Sequence, residues 1–320
     1  MKITCELCRS FLSDYIDPTT NESVFVGRGN VGVVSLNLPM IYMKAKKENK
    51  PFFEVLDYYL EMTRDIHKFT YEYLGKAKAS SNPLMYMHGG AYGGHLNEND
   101  IIAPILKSWT ASFGITALNE LTELAINKSI AQDNSFAVET LKHIQKKIDE
   151  FKEEDGHLYS MYGTPGETYA STQLQQFRKI YGIIPKVSDR EYFTNSFHCH
   201  VSENITPIEK QNNEDELFHM VTGGHIQYVR VSNPNNTDGL RSLIERGLDK
   251  GFYQGVNFDS CVCNTCGHHG VDWKDTCPNC GSDDIDVISR VCGYLSYAKK
   301  SGDTTMNDGK LAEIRDRVSM

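Results

Sequence analysis

The chain has 320 residues, of which 40% are apolar, and this length and composition are sufficient to bury the core of one large or two modest domains. Its formal net charge of −9 argues against a nucleic-acid binder that neutralises phosphates with clustered Lys and Arg, so a nucleotide would have to bind in a pocket. No stretch approaches the roughly 20 apolar residues that span a bilayer, and residues 1–6 lack the apolar core of a signal peptide, which predicts a cytoplasmic protein.

The first hundred residues combine an extended and a helical pattern. Residues 31–38 are rich in β-branched side chains between glycine and proline punctuation, which is typical of a largely buried strand. Pro51 suits a first helical turn, and apolar residues at spacings of three and four then predict a long amphipathic helix that ends near Gly75. These apolar residues are Phe52, Leu56, Tyr59, Met62, Ile66, Phe69 and Tyr73. Residues 80–100 are predicted to be a loop because two glycine pairs interrupt them.

Helical and mixed patterns follow along the rest of the chain. Helical spacing returns over about residues 102–128, and a further helix has its apolar stripe over residues 137–151. Residues 202–213 are polar and irregular, and mixed patterns then resume until about residue 260. A charged helix is predicted over about residues 308–318. The alternation of strand and helix patterns predicts an α/β architecture with a covered sheet.

The nine cysteines are unevenly distributed, since six of them follow residue 260. In a reducing compartment this clustering indicates metal or thiol chemistry and not a disulfide framework. Cys263/Cys266 and Cys277/Cys280 form two Cys-x-x-Cys pairs, each followed by a glycine, and two such turns can place four thiolates around Zn²⁺. We predict a structural zinc site on these four residues, with free or redox-active thiols as the alternative. Spare ligands nearby are Cys261, His268 and His269. Cys292 is expected to have a packing role, and no role is predicted for Cys5 and Cys199.

The segment Arg290-Val-Cys-Gly-Tyr-Leu295 places a glycine among bulky residues. A turn glycine is one interpretation, but the hexapeptide resembles the radical loop of glycyl radical enzymes. Together with the cysteine pairs upstream, it makes the chain similar to the anaerobic, class III ribonucleotide reductases. Glycine suits this role because an α-carbon radical needs a planar centre, which a side chain would crowd. Further segments match the family in its own order, namely residues 8–12, 27–39, 114–120, 162–167, 194–198 and 306–318.

The resemblance implies a fold and a division of the chain. Residues 1–258 would form the C-terminal half of a ten-stranded glycyl-radical-enzyme α/β barrel. Residues 259–284 would form a small zinc ribbon. Residues 285–320 would hold the glycyl radical loop and the C-terminal helix.

The resemblance also implies site residues and a reaction. Gly293 would carry the glycyl radical, Cys8 the thiyl radical, and Ser10 and Asn30 would hydrogen-bond the ribose hydroxyls. The alternatives are a buried apolar thiol for Cys8 and ordinary turn or cap bonding for Ser10 and Asn30. The implied reaction reduces ribonucleoside triphosphates to 2′-deoxyribonucleoside triphosphates with formate. Glu6 stands two places before Cys8, where formate-using members carry a small or thioether residue, so another reductant stays open. The sequence also leaves a diphosphate substrate open.

The implied partners are of two kinds. A separate iron-sulfur activase that uses S-adenosylmethionine would install the radical. Family members are much longer, and their N-terminal part carries the allosteric nucleotide region and much of the dimer contact. We therefore predict a partner chain that supplies the N-terminal half, as in a split, phage-type large subunit, and Met1 directly before the Cys8 segment favours this over a truncation. Two other functions stay open, a zinc-ribbon module that binds nucleic acid and another glycyl radical enzyme.

Overall fold

The computed structural model of the chain describes residues 6–7, 10–89, 94–166, 168–231, 233–273, 275–290 and 295–318, with only the backbone of residues 6, 7 and 10. Within these ranges the chain forms α-helices and β-strands in alternation along most of its length. The helices are α1 (Leu38–Glu48), α2 (Phe52–Gly75), α3 (Pro83–Tyr86), α4 (Ala103–Leu106), α5 (Leu118–Ile126), α6 (Ser135–Asp155), α7 (Tyr169–Tyr181), α8 (Pro207–Met220), α9 (Thr237–Asp249) and α10 (Asp308–Asp316). The strands are β1 (Glu6–Leu7), β2 (Ser10–Phe11), β3 (Asn30–Asn37), β4 (Thr110–Thr116), β5 (Leu158–Gly163), β6 (Gln227–Arg230), β7 (Gln254–Asn257), β8 (Ser260–Cys263), β9 (His269–Val271), β10 (Ile285–Arg290) and β11 (Leu295–Lys299).

A parallel three-stranded sheet in the order β3-β4-β5 carries the main core. The register pairs Ser112 of β4 with Val33 of β3 on one side and with Ser160 of β5 on the other. Helix α2 packs against β3 and β4, and α6 packs against β5. Because the strands are parallel, their carboxyl ends at Asn37, Thr116 and Gly163 lie along one edge of the sheet.

An ion pair fastens the two long helices to β5. The Arg64 guanidinium of α2 donates hydrogen bonds of 2.8 and 2.7 Å to the carboxylate of Asp155 at the end of α6. The Tyr159 hydroxyl of β5 donates to the same carboxylate at 3.0 Å. The Arg64 bonds hold the pKa of Asp155 well below its usual range, so this carboxylate stays charged and joins three elements.

The helix predicted over residues 102–128 is wrong. The structure has the short α4, then the buried strand β4, and then α5 over this range. Every residue of β4 is buried because the strand lies between two others in a sheet with both faces covered. The strand alternates the apolar residues Ala111, Phe113 and Ile115 with polar or glycine residues, but this short signal lies between two helices whose spacing conceals it.

Helix α2 lies where it was predicted, but its buried face differs from the predicted stripe. Met62, Ile66, Phe69 and Tyr73 are exposed. Towards the carboxyl end of α2, the core face contains polar residues instead, and their hydrogen bonds are satisfied. The His67 Nε2 donates to the Ser112 carbonyl at 3.1 Å, and the Thr63 hydroxyl donates to the Tyr59 carbonyl at 2.9 Å.

In the second half of the chain, two of the predicted features can be compared directly. Residues 202–213 were predicted to be irregular, yet α8 begins at Pro207 because Thr206 and Glu209 form a reciprocal capping box. The residues of α8 are polar on most sides, which hides the helical period. The predicted C-terminal helix is confirmed as α10.

The cysteine-rich segment belongs to an antiparallel sheet in the order β11-β10-β8-β9. Its own small core consists of Cys261, Cys263, Cys277, Ile285 and Val287. The alternation of helices and strands along the chain confirms the predicted α/β class. Among the described residues, none of the helices combines the length and the apolar character needed to cross a membrane.

Candidate functional site

The structure brings the four predicted zinc ligands together at one end of the four-stranded sheet. Cys263 ends β8, and two similar turns carry the four cysteines. In each turn the glycine amide donates to the carbonyl of the first cysteine, Gly267 to Cys263 at 3.0 Å and Gly281 to Cys277 at 2.9 Å. Both glycines have left-handed φ values, 69° and 74°, where a side chain would be strained.

The geometry of the four sulfurs fits a tetrahedral metal ion. Their Sγ atoms all lie within 4.8 Å of one another, and the Sγ–Sγ distances are 3.6 Å for Cys263–Cys280 and 3.7 Å for Cys266–Cys277. A tetrahedron with Zn–S bonds of about 2.3 Å has edges of about 3.8 Å. The side-chain amide of Asn279 donates to Cys266 at 3.6 Å, and this bond is the main reason why the pKa of Cys266 falls to about 6. The cluster could therefore hold a metal ion such as zinc.

The spare ligands lie elsewhere in the same sheet. The Cys261 sulfur accepts a hydrogen bond from the Trp273 amide at 3.4 Å, and burial raises the pKa of its thiol. The His268 ring stacks on Trp273 with a centroid distance of 5.4 Å. Among the described residues, the group with metal-ligand geometry consists of the four cysteines of the two pairs.

The residues predicted to carry radicals lie outside the described part of the chain. Cys8 falls between β1 and β2 in the sequence, and Gly293 falls between β10 and β11. The two strands that flank Gly293 are antiparallel, with Arg290 and Leu295 as register partners. Ser10 lies in β2 by its backbone, and its side chain is outside the described residues.

Asn30, the other predicted ribose contact, stands at the first position of β3. Its side-chain amide donates to the Ser112 hydroxyl at 2.7 Å, and its side-chain oxygen accepts from the Gly32 amide at 2.7 Å. Through these two bonds, Asn30 fixes the first residues of β3 against β4. The hydrogen bond from Asn30 to a ribose hydroxyl stays a prediction.

Three of the segments that carry the resemblance meet at the carboxyl edge of the central sheet. The Ser35 hydroxyl lies 2.9 Å from the Thr164 hydroxyl. A Cβ on Gly114 would lie 2.2 Å from the Thr164 hydroxyl oxygen and 2.4 Å from that of Ser35. Gly114 is therefore required for this close approach of β3, β4 and the residues after β5.

A fourth segment joins this edge through a buried carboxylate. Glu120 of α5 accepts hydrogen bonds from the Thr194 amide at 3.0 Å and from its hydroxyl at 2.6 Å. Burial raises the pKa of Glu120, and the Arg190 guanidinium 3.5 Å away opposes this rise. Burial also raises the pKa of the neighbouring Glu123 to about 6.

The whole chain matches a known family. The sequence profile described as anaerobic ribonucleoside-triphosphate reductase matches residues 1–320. The chain belongs to this family. It is 32% identical to the anaerobic ribonucleoside-triphosphate reductase of Escherichia coli strain K12, with 97% of this chain and 45% of that protein covered. It is 33% identical to the enzyme of the same name from Enterobacteria phage T4, with 97% and 52% covered. The chain thus spans about half the length of these curated relatives.

Solved structures of anaerobic ribonucleotide reductases share the fold. One of them superposes with a TM-score of 0.70 at 18% sequence identity, covering 93% of this chain and 46% of that chain. The Thermotoga maritima enzyme in complex with dATP and CTP superposes with a TM-score of 0.63 at 19% identity, covering 86% and 44%. At these identities the likeness establishes the fold of the reductase family.

This member of the reductase family contains a buried charge network that the sequence did not predict. Glu214 of α8 accepts from the Cys199 amide at 2.9 Å and from the Gln227 side chain at 3.3 Å. The Lys210 ammonium donates to it, and His198 Nδ1 lies 3.4 Å away. Burial opposes ionisation, but Lys210 and His198 hold the pKa of Glu214 at about 2. His198 is buried and borders a cavity.

That cavity, of about 90 Å³, lies beside the end of β10. Arg290, the last residue of β10, contributes to its wall, and the Arg290 guanidinium lies 5.3 Å from the centroid of the Tyr228 ring. Other residues in the wall are Tyr192, His198, His200, Glu313 and Arg317. The reductase-family segments 194–198 and 306–318 therefore meet next to the strand that leads to Gly293.

Proposed function

We propose that this chain is the radical-bearing part of an anaerobic ribonucleotide reductase that converts ribonucleoside triphosphates to 2′-deoxyribonucleoside triphosphates. The observation that carries the proposal is the match of the reductase family over residues 1–320, because it includes the Gly293 and Cys8 segments in the family's order. The convergence of the other family segments at one sheet edge supports it. The chain spans about half of its relatives, so activity is proposed for the complete assembly.

In the proposed reaction, Gly293 stores the unpaired electron and Cys8 uses it. The glycyl radical takes the hydrogen atom of the Cys8 thiol, and the resulting thiyl radical takes the 3′-hydrogen of the ribose. The 2′-hydroxyl leaves as water, and formate supplies the two electrons and is oxidised to carbon dioxide. Cys8 then returns the 3′-hydrogen and regains its own hydrogen from Gly293. Ser10 and Asn30 are proposed to hydrogen-bond the ribose hydroxyls.

The metal and the parts of the fold have proposed roles as well. We propose that Cys263, Cys266, Cys277 and Cys280 hold a structural Zn²⁺ in a zinc ribbon over residues 259–284, supported by the sulfur geometry. Residues 1–258 would be half of the ten-stranded barrel, and residues 285–320 would present the radical loop. An iron-sulfur activase that uses S-adenosylmethionine would install the radical. The predicted partner chain with the N-terminal half stays a prediction.

Substitutions of the two proposed radical residues should have different effects. In an activated complete enzyme, Cys8→Ser should retain the organic radical and lose deoxyribonucleotide formation, because the hydroxyl hydrogen is too strongly bound to relay the radical. Gly293→Ala should lose both. Radical content is measured by electron paramagnetic resonance, and product by chromatography. Product formation by the Cys8→Ser variant at the wild-type rate would contradict the proposal.

A further inference from the structure

The C-terminal helix is seated firmly on the body of the chain. Asn307 caps α10 by accepting from the Lys310 amide at 2.8 Å. The Tyr192 hydroxyl donates to Asp316 at 2.8 Å, and beyond the helix the Val318 amide donates to the Val201 carbonyl at 3.0 Å. The tail is therefore fixed to residues 192–201 at the last residue of α10 and again two residues later.

From this fixed tail, one side chain reaches the strand that leads to Gly293. The Arg317 Nη2 donates to the backbone carbonyl of Arg290 at 3.0 Å. The same nitrogen donates to the Glu313 carboxylate at 2.8 Å, and the Lys310 ammonium donates to that carboxylate as well. Glu313 is buried, so its charge depends on these two cations, and it holds the Arg317 guanidinium in one orientation.

Arg290 is held from two directions at the point where β10 ends. Arg317 holds its carbonyl, and the Tyr228 ring lies under its guanidinium. Leu295, its register partner at the start of β11, is 66% exposed. The Arg317 contact thus fixes the β10 side of this strand pair to a residue 27 positions later in the sequence.

We propose that Arg317 and Glu313 are positioning residues that set where the segment around Gly293 lies relative to the body of the enzyme. The proposal rests on the proposed function, because position matters here through the distance between Gly293 and Cys8. Misplacement of reacting groups by about 1 Å can cost a hundredfold in rate. Loss of the Arg317 contact should therefore lower turnover without removing the radical itself.

The first test is hydrogen exchange on the zinc-loaded full chain, and it does not depend on the proposed function. In Arg317→Ala, backbone amides of β10 and β11 should exchange at least about tenfold faster than in the wild type. Amides of β4 and β5 should not change. The matched control is Arg315→Ala, an exposed residue of α10 two positions earlier, which should exchange as the wild type does. Unchanged exchange of β10 in Arg317→Ala would overturn the proposal.

The second test measures product formed per glycyl radical in the activated complete enzyme. Arg317→Ala should keep wild-type zinc and radical content and lose about tenfold or more of its product per radical. Arg317→Lys keeps the charge next to Glu313 but lacks the planar guanidinium that holds the donor in a fixed direction, so it should recover part of the loss. Wild-type product per radical in Arg317→Ala would overturn the positioning role and leave the proposed function intact. A wild-type enzyme without any radical would overturn both.

Discussion

Glu214 is a charged side chain with no exposure to solvent, and its partners are the basis of a stability prediction. Replacing it by Gln removes the negative charge and leaves the ammonium of Lys210 buried without its counter-ion. We expect Glu214→Gln to lower the free energy of unfolding by about 3–5 kcal/mol. Urea unfolding followed by circular dichroism measures this difference.

Glu216 offers a matched control on the same helix. Its side chain is 54% exposed and pairs with Lys142 at 2.8 Å. Because exposed ion pairs are worth little, Glu216→Gln should change the free energy of unfolding by less than about 1 kcal/mol. Equal losses in the two variants would mean that the buried network does not stabilise the fold.

His67 connects the stability of the fold to pH. Burial lowers its pKa from 6.5 to about 4, against the opposing effect of its bond to Ser112. Between pH 6.5 and about 4, the His67 ring is therefore neutral in the folded protein and protonated in the unfolded chain. The stabilising contribution is complete above pH 6.5 and is lost as the pH falls towards 4, on the order of 3 kcal/mol in total.

Glu123 acts in the opposite direction, so the pH test compares two proteins. Its pKa is raised to about 6 by burial, and its protonation in the folded state favours folding as the pH falls below 6. The contribution of His67 is therefore the difference between the wild type and His67→Gln, measured by urea unfolding at pH 7.5 and pH 5. We expect the wild type to lose more stability than the variant over this interval. Equal losses would show that His67 does not titrate with a lowered pKa.

At the scale of elements, the two cysteine turns should determine how much zinc the purified protein holds. Cys263→Ser should reduce zinc in the purified chain to well below one equivalent, because three thiolates and a hydroxyl hold the ion far less tightly. Cys261→Ser is the matched control, two residues earlier on the same strand, and should retain zinc because its sulfur lies outside the cluster. Metal analysis of both proteins decides the matter. Full zinc in Cys263→Ser would contradict the proposed ligand set.

The elements also show what the sequence could and could not predict. The position of strand β3 followed from its β-branched residues between glycine and proline, although most of the strand is half-buried where a largely buried one was predicted. Helices α6 and α10 followed from helical patterns along their length. Strand β4 was not predicted, because its alternation is short and lies between two helices whose spacing continues across it. The core face of α2 could not be chosen from the sequence either, because its buried stripe includes two polar residues. Thr63 bonds the Tyr59 carbonyl within the helix, and His67 bonds the Ser112 carbonyl of β4.

Sequence reasoning predicted those residues of the candidate site that form short motifs. The four cysteines were found by their spacing, and the structure brings them together. Glu120 was missed because its partner Thr194 lies 74 residues away in the sequence. Glu214 was missed because its pairing with Lys210, four residues earlier, is a common surface pattern, and its buried partner Cys199 lies 15 residues away. Cys8 and Gly293 were named from the family resemblance, and their roles stay predictions.

For the molecule as a whole, the surface features that a partner chain would cover lie on the central sheet and on α2. Strand β3 is an edge of the central sheet among the described residues. Exposed apolar side chains follow one side of α2, at Met62, Ile66, Phe69 and Tyr73. Edges and stripes of this kind are usually covered in a complete assembly. This agrees with a chain that spans about half the length of its relatives.

The central claim is that Gly293 stores the radical, and electron paramagnetic resonance of the anaerobically activated complete enzyme tests it most directly. A glycyl radical retains one α-hydrogen, so the unlabelled enzyme should give a doublet. The doublet should collapse to a single line when the protein is produced with glycine deuterated at the α-carbon, and no signal should form in Gly293→Ala. A signal that ignores the deuterium, or that persists in Gly293→Ala, would contradict the account.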